Sequence, residues 1–183
     1  LGTWEKNVVG TGMRPQARTD DKAKNDGMES VWRERQHDLF PAEQWTQGEA
    51  QSAMIRRSLC DGDAAIVVTG APSFFEFVEA DRISNPLGVA AITSEREIRS
   101  GVERDARGVP VALHIQRRHP GDTTLRADAL QFDRVTFDRC RFLRRAERPG
   151  QSRGVPFFHA VLQDLRDLDL LILASLKRIQ IAA

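Results

Sequence analysis

Apolar residues recur every three or four positions at both ends of the chain and every second position through its middle. The first period belongs to helices and the second to half-buried strands. Leu1, Trp4, Val8 and Val9 form the first helical stripe, and Gly10 supplies a stop. Residues 13–18 read as a short edge strand, because Pro15 is barred from a sheet centre. Met28, Val31, Trp32 and Arg35 mark a charged helix whose N-cap candidates are Asp20, Asn25 and Asp26. Pro41 separates it from a further helix over 46–59, with Ala50, Ala53, Met54 and Leu59 on one side.

The character changes at Asp61-Gly62, a turn signal. Residues 64–68 and 74–78 read as two strands of a hairpin, followed by a loop over 79–88. The clearest hairpin spans 98–116. Ile98, Ser100 and Val102 alternate against Arg99, Gly101 and Glu103, and a turn follows at 104–108. Val109, Val111, Leu113 and Ile115 then face a core, while Ala112, His114 and Gln116 face the polar side. A turn at 119–122 leads to short strands around 132–137 and 140–143. The order is helices (1–60), four to six mainly antiparallel strands (61–145) and a long helix (154–183), which predicts an α+β fold.

That last helix carries the widest stripe: Phe158, Val161, Leu162, Leu165, Leu168, Ile172, Leu176 and Ile179. Pro156 suits its first turn, and the run over 157–181 is about 37 Å long. Asp164 and Asp167 near its start and Lys177 and Arg178 near its end complement the helix dipole. Asp169 falls inside the stripe. A buried, unpaired carboxylate is costly, so the pattern predicts a cationic or hydrogen-bonding partner; the alternative is a shallow edge where it reaches water.

Composition narrows the function classes. The 183 residues, 40% hydrophobic and 29% charged, are enough for one domain with a real core. Twenty-seven basic residues against 26 acidic ones do not indicate a global polyanion binder, so any electrostatic function is local. Residues 131–153 supply such a patch. Arg134, Arg139, Arg141, Arg144, Arg145, Arg148 and Arg153 stand against Asp133, Asp138 and Glu147, a local net charge of +4. The patch reads either as contacts to phosphate or to a partner's acidic face, or as a rim paired within the chain. The choice of Arg over Lys favours bidentate carboxylate pairing. It also supports an alternative function, a DNA- or RNA-binding module on 131–153.

Catalytic signals are thin. His114 and His119 lie near Asp105 and Asp122, but their spacing matches no ligand pattern; surface histidines beside a hairpin are the plainer reading, and a small hydrolase site around His114, His119 and Asp122 is a further alternative. No phosphate-binding loop, nucleophile elbow or zinc-protease motif occurs, and no cofactor or metal is expected. Cys60 and Cys140 read as small hydrophobes without a disulfide framework. The final apolar run is interrupted by Asp167, Asp169, Lys177 and Arg178, so no membrane span is expected. Leu1 in the first position and the uncapped run at Ala183 lead to the expectation of a chain truncated at both ends.

Three stretches together carry a resemblance: residues 81–86, residues 100–122 and residues 148–169. The second contains Gly101, Val102, Glu103, Asp105, Gly108 and Pro110. The third contains Arg148, Pro149, Gly150, Gln151, Arg153 and Gly154, then Leu162, Leu165, Leu168 and Asp169. In this order and spacing they resemble the portal proteins of lambda-type tailed bacteriophages, and residues 7–18 match that family's passage into its central domain. Leu170 departs from the aromatic residue often found after the helix aspartate.

The resemblance implies a non-enzymatic, wing-type part of a portal subunit. The intact protein is expected to form a ring, typically dodecameric, at one capsid vertex. Double-stranded DNA passes through it, and it meets capsid, terminase and head-completion proteins in the virion or, during assembly, in the host cytoplasm. Gly101, Asp105, Gly108, Arg148, Gly150, Arg153, Gly154 and Asp169 are the implied motif residues, and Arg134, Arg139, Arg141, Arg144 and Arg145 are candidate subunit or phosphate contacts. The last helix is expected to pack on the sheet and continue into channel-lining parts.

Overall fold

A capping box starts the helix on which the first sheet rests. Thr46 accepts from the Glu49 backbone N–H, and the Glu49 carboxylate accepts from Thr46 N, satisfying two otherwise orphaned donors. In this computed structural model, which describes residues 2–70, 74–89, 91–93, 95–122 and 130–182, that helix is α3 (Gln47–Cys60), after α1 (Gly2–Val8) and α2 (Lys22–Arg35). Gly10 ends α1 at a φ of 59°, as its position predicts. Asp21 rather than Asp20, Asn25 or Asp26 caps α2, accepting from Ala23 N and Lys24 N. Residues 13–18 form no strand.

Seven antiparallel strands make two sheets among the described residues. β1 (Asp63–Val68), β2 (Phe75–Glu79) and β7 (Cys140–Arg144) form the first, in the order β2-β1-β7. β3 (Arg96–Arg99), β4 (Val102–Asp105), β5 (Pro110–Gln116) and β6 (Phe132–Thr136) form the second in sequence order. The fold is α+β, as predicted, but the strands divide between two sheets instead of one. β6 and β7 are joined by a tight turn yet belong to different sheets, so the chain crosses over there. The expected strand 98–103 is two strands, because Ser100 and Gly101 reverse the chain at φ values of 49° and 81°. Residues 71–73, in the connection between β1 and β2, lie outside the described residues.

The core lies between the sheets. Ala65, Val67, Val78 and Cys140 from the first meet Val102, Leu113 and Ile115 from the second, with Ile83 bridging to Ile115. The opposite face of the first sheet, carrying Ala64 and Phe77, is covered by α3 and by Phe40 and Trp45, whose rings lie 5.5 Å from Phe75 and 5.6 Å from Phe77. Leu113 and Ile115 are buried as expected; Val111 is half-buried and Val109 is exposed, since it belongs to the turn. Ala112 and His114 do point the other way, but that face is buried too, so His114 is not a surface histidine. Cys140 is buried, Cys60 half-buried, and both are free.

The C-terminal run forms α4 (Leu162–Ala182), preceded by a single 3-10 turn (His159–Val161), so the helix starts about five residues later than expected. Phe157 and Phe158 instead stack edge to face, and the Trp4 ring lies 5.9 Å from Phe157. Every side chain from Leu162 to Ile181 is exposed. The expected packing of this helix on the sheet is therefore corrected: α3 occupies that place. Among the described residues no helix is long and apolar enough to cross a membrane.

Candidate functional site

The loop over 145–157 carries the chain from β7 to α4, and arginines fix its middle, from Gly150 to Arg153. Arg153 is the central clamp. Its Nε and Nη2 donate to the Asp63 carboxylate at 2.6 and 2.9 Å. Its remaining N–H groups reach Ala80 O at 2.8 Å, Ile83 O at 2.6 Å and Ser100 O at 3.2 Å. Asp63 also accepts from Gly154 N at 2.9 Å. One guanidinium thus ties the end of the loop to β1, to the segment after β2 and to the β3–β4 turn. Its planar fork of five donors is what permits this.

Arg104, at the end of β4, binds the other half of the loop. It is 8% exposed and donates to Gly108 O at 2.7 Å, Gly150 O at 3.2 Å, Gln151 O at 3.3 Å and Ser152 Oγ at 3.3 Å. Arg144 adds bonds to Gln151 O and Ser152 O. The hairpin stretch and the 148–154 stretch, far apart in sequence, therefore form one laced surface. Asp105 shapes the hairpin turn by accepting from Arg107 N at 2.9 Å and Val109 N at 2.8 Å; the Val109 N–H is the main reason its carboxyl lies below the usual range. Gly108 and Gly150 take positive φ in open turns. Gly101 is tighter: an added β-carbon would meet Ser84 N at 2.6 Å.

A second cluster fills the outer face of the four-stranded sheet. Glu103, 3% exposed, accepts from Arg134 Nε and Nη2 at 2.8 and 2.9 Å and lies 2.8 Å from His114 Nε2. The Arg134 hydrogen bonds, helped by His114, outweigh burial and hold the Glu103 carboxyl at about 2. A carboxylate whose pKa is depressed on folding stabilises the fold fully above its ordinary value near 4.5. That contribution is lost as pH falls toward 2. In urea denaturation, the stability advantage of the parent chain over Glu103→Gln should be full at neutral pH and shrink between about pH 4.5 and 2. A constant difference across that window contradicts this role.

The other named residues are placed as follows. Arg139 donates to Val68 O at 3.0 Å, and Arg141 to Phe137 O and Cys140 O at 3.1 and 2.9 Å. Arg145 stacks over the Phe157 ring, 5.0 Å from its centroid. Arg148 is exposed on an open cavity of about 640 Å³, shared with Arg99, Pro149 and Asn85. His119 lies 3.5 Å from Glu79 and 3.7 Å from Asp81, away from the His114 cluster, and no group among the described residues could hold a metal ion. The expected burial of Asp169 is corrected. It is exposed on α4 and makes no hydrogen bond or ion pair among the described residues, because nothing covers that helix face.

Sequence reasoning missed Asp63 and Arg104, and placed Glu103 in the hairpin motif without its buried partners. Asp63 follows a turn glycine and read as part of the turn; Glu103 falls on the polar side of the strand alternation, and Arg104 read as the first residue of the turn over 104–108.

The family model described as phage portal protein, lambda family, matches residues 1–183. A probable portal protein of Halomonas phage phiHAP-1 is 32% identical over 94 residues, 51% of this chain and 18% of that relative. The matched stretch thus spans less than a fifth of the relative's length.

Proposed function

The chain belongs to the lambda family of phage portal proteins, and on that premise we propose that it serves as part of a portal subunit. It assembles with further copies into a ring, dodecameric by analogy with the family, at one capsid vertex. Double-stranded DNA passes through that ring, and terminase and head-completion proteins dock on it. The family match along all 183 residues carries this reading. The exposed apolar length of α4 supports it, since such a surface marks an interaction face. A closed ring needs two different complementary faces on each subunit.

The arginines of 131–153 fit a scaffold better than a nucleic-acid clamp. Arg134, Arg139, Arg141, Arg144 and Arg153 are engaged with acids or carbonyls of their own chain. Imaging the complete gene product by negative stain should show rings with a central channel. Duplex DNA should bind the single chain weakly, only at low salt and without sequence preference. Tight, sequence-selective binding by a monomer at physiological salt would overturn the portal reading in favour of the DNA-binding alternative.

A further inference from the structure

Two apolar faces of this chain have no partner among the described residues. One is the stripe of α4 through Leu162, Leu165, Ile172, Leu176 and Ile179, each about half exposed or more. The other is a groove of about 540 Å³ on α2, lined by Lys24, Gly27, Met28, Val31, Arg35 and Leu39. Met28 and Val31 are exposed at its centre. We propose that this groove receives α4 of a second copy, with Lys24 of one copy paired to Asp169 of the other.

Charge selects the occupant. Asp169 falls inside the α4 stripe, at the 3–4 spacing that joins Leu165 to Ile172. Covering the stripe desolvates its carboxylate, so the covering surface must bring a cation. The stripe positions hold no base, and Arg166 lies only at their edge, so pairing α4 with another α4 would bring two carboxylates to the seam with no base at its centre. The α2 groove has the required base. Lys24 stands at one end, exposed and without an ion pair among the described residues, while Arg35 at the other end is shared with Asp38 at 2.9 Å.

Gly27 is the second argument. It lies inside α2, where glycine is the poorest residue short of proline. A β-carbon there would meet nothing within 4 Å, so the fold of one copy does not require glycine. A helix crossing closely over the groove does, because the separation of packed helices is set by the side chains at the crossing point. The contact joins two different surfaces, so it propagates from copy to copy and closes into a ring where the rotation permits. The proposal rests on the self-assembling reading above and adds which faces meet.

Sedimentation and cross-linking of the 183-residue chain test it. Lys24→Glu and Asp169→Lys should each weaken self-association about tenfold or more, the loss typical of a buried charge pair. Neither should shift the melting midpoint of the dilute protein, since both residues are exposed in a single copy. Combining the two reversals should restore association. A carbodiimide should form an amide between Lys24 and Asp169 of different copies, with loss of water, mapped by mass spectrometry. Unchanged association in the single variants, no restoration in the double, α4-to-α4 cross-links, or a chain that stays monomeric at every concentration would each overturn it. Rings formed by the complete gene product despite that result would leave the portal reading standing. Restored pairing without rings would uphold the contact and count against the portal reading.

Discussion

Gly154→Ala is expected to abolish cooperative folding at ordinary temperature. Gly62 and Gly154 lie back to back where the 145–157 loop passes the start of β1, and a β-carbon on Gly154 would overlap the Gly62 carbonyl. That carbonyl cannot retreat freely, because it accepts from Arg145 N at 3.1 Å. Gly62 is itself committed, with a φ of 91° and no room for a side chain of its own. Relief requires separating two backbones, which also stretches the Gly154 N–H bond to Asp63. Overpacking of this kind, together with loss of a buried network, costs on the order of 4 kcal/mol or more, a large share of a domain's stability. Gly150→Ala is the control. Gly150 also has positive φ, at 76°, but open space around it, so only the left-handed penalty of about 1–2 kcal/mol applies. Melting curves followed by circular dichroism decide the matter. If Gly154→Ala melts within a few degrees of the parent chain, the close approach is not what joins loop and strand.

Much of the fold could be read from local patterns because local physics sets it. Gly10, Pro41 and the Thr46–Glu49 pair punctuate the helices whatever packs around them. The strands at 63–68, 75–79, 132–136 and 140–144 also emerge close to their expected bounds. Long-range choices were not visible. Nothing in the turn between Thr136 and Cys140 announces that its two strands belong to different sheets. His114 shows the limit of alternation. The period of two places it opposite Leu113 correctly, but it cannot say whether the second face meets water or a buried Glu103 held by Arg134. Asp169 shows the same limit on a helix, since its stripe position is plain in the sequence while its exposure depends on what covers α4. The 148–154 motif was visible as a unit, but its clamp residues Asp63 and Arg104 lie dozens of residues away.

Asp63→Ala is expected to cost about 3–5 kcal/mol, the range for removing one partner of a buried ion pair. Asp63 is 1% exposed, and among the described residues it is the only acid to which Arg153 is paired. Arg153 cannot simply turn to water. Three of its bonds run to the carbonyls of Ala80, Ile83 and Ser100, so releasing it would strand those groups as well. The Glu103 cluster contrasts with this, because the Arg134 side chain is 45% exposed and can be rehydrated when its acid is removed. Asp63→Ala should therefore destabilise more than Glu103→Ala. The damage should also be directional. Arg153 ties together β1, the segment after β2, the β3–β4 turn and the loop leading into α4, so hydrogen exchange should quicken first over 150–157. Urea denaturation gives the magnitude and exchange gives the location. A loss below about 1 kcal/mol, the worth of a surface pair, would mean that the glycine contact and Arg104 hold the loop without this clamp. In that case α4 would be aimed by the backbone alone, and the arginine would be only one of several interchangeable donors around the loop.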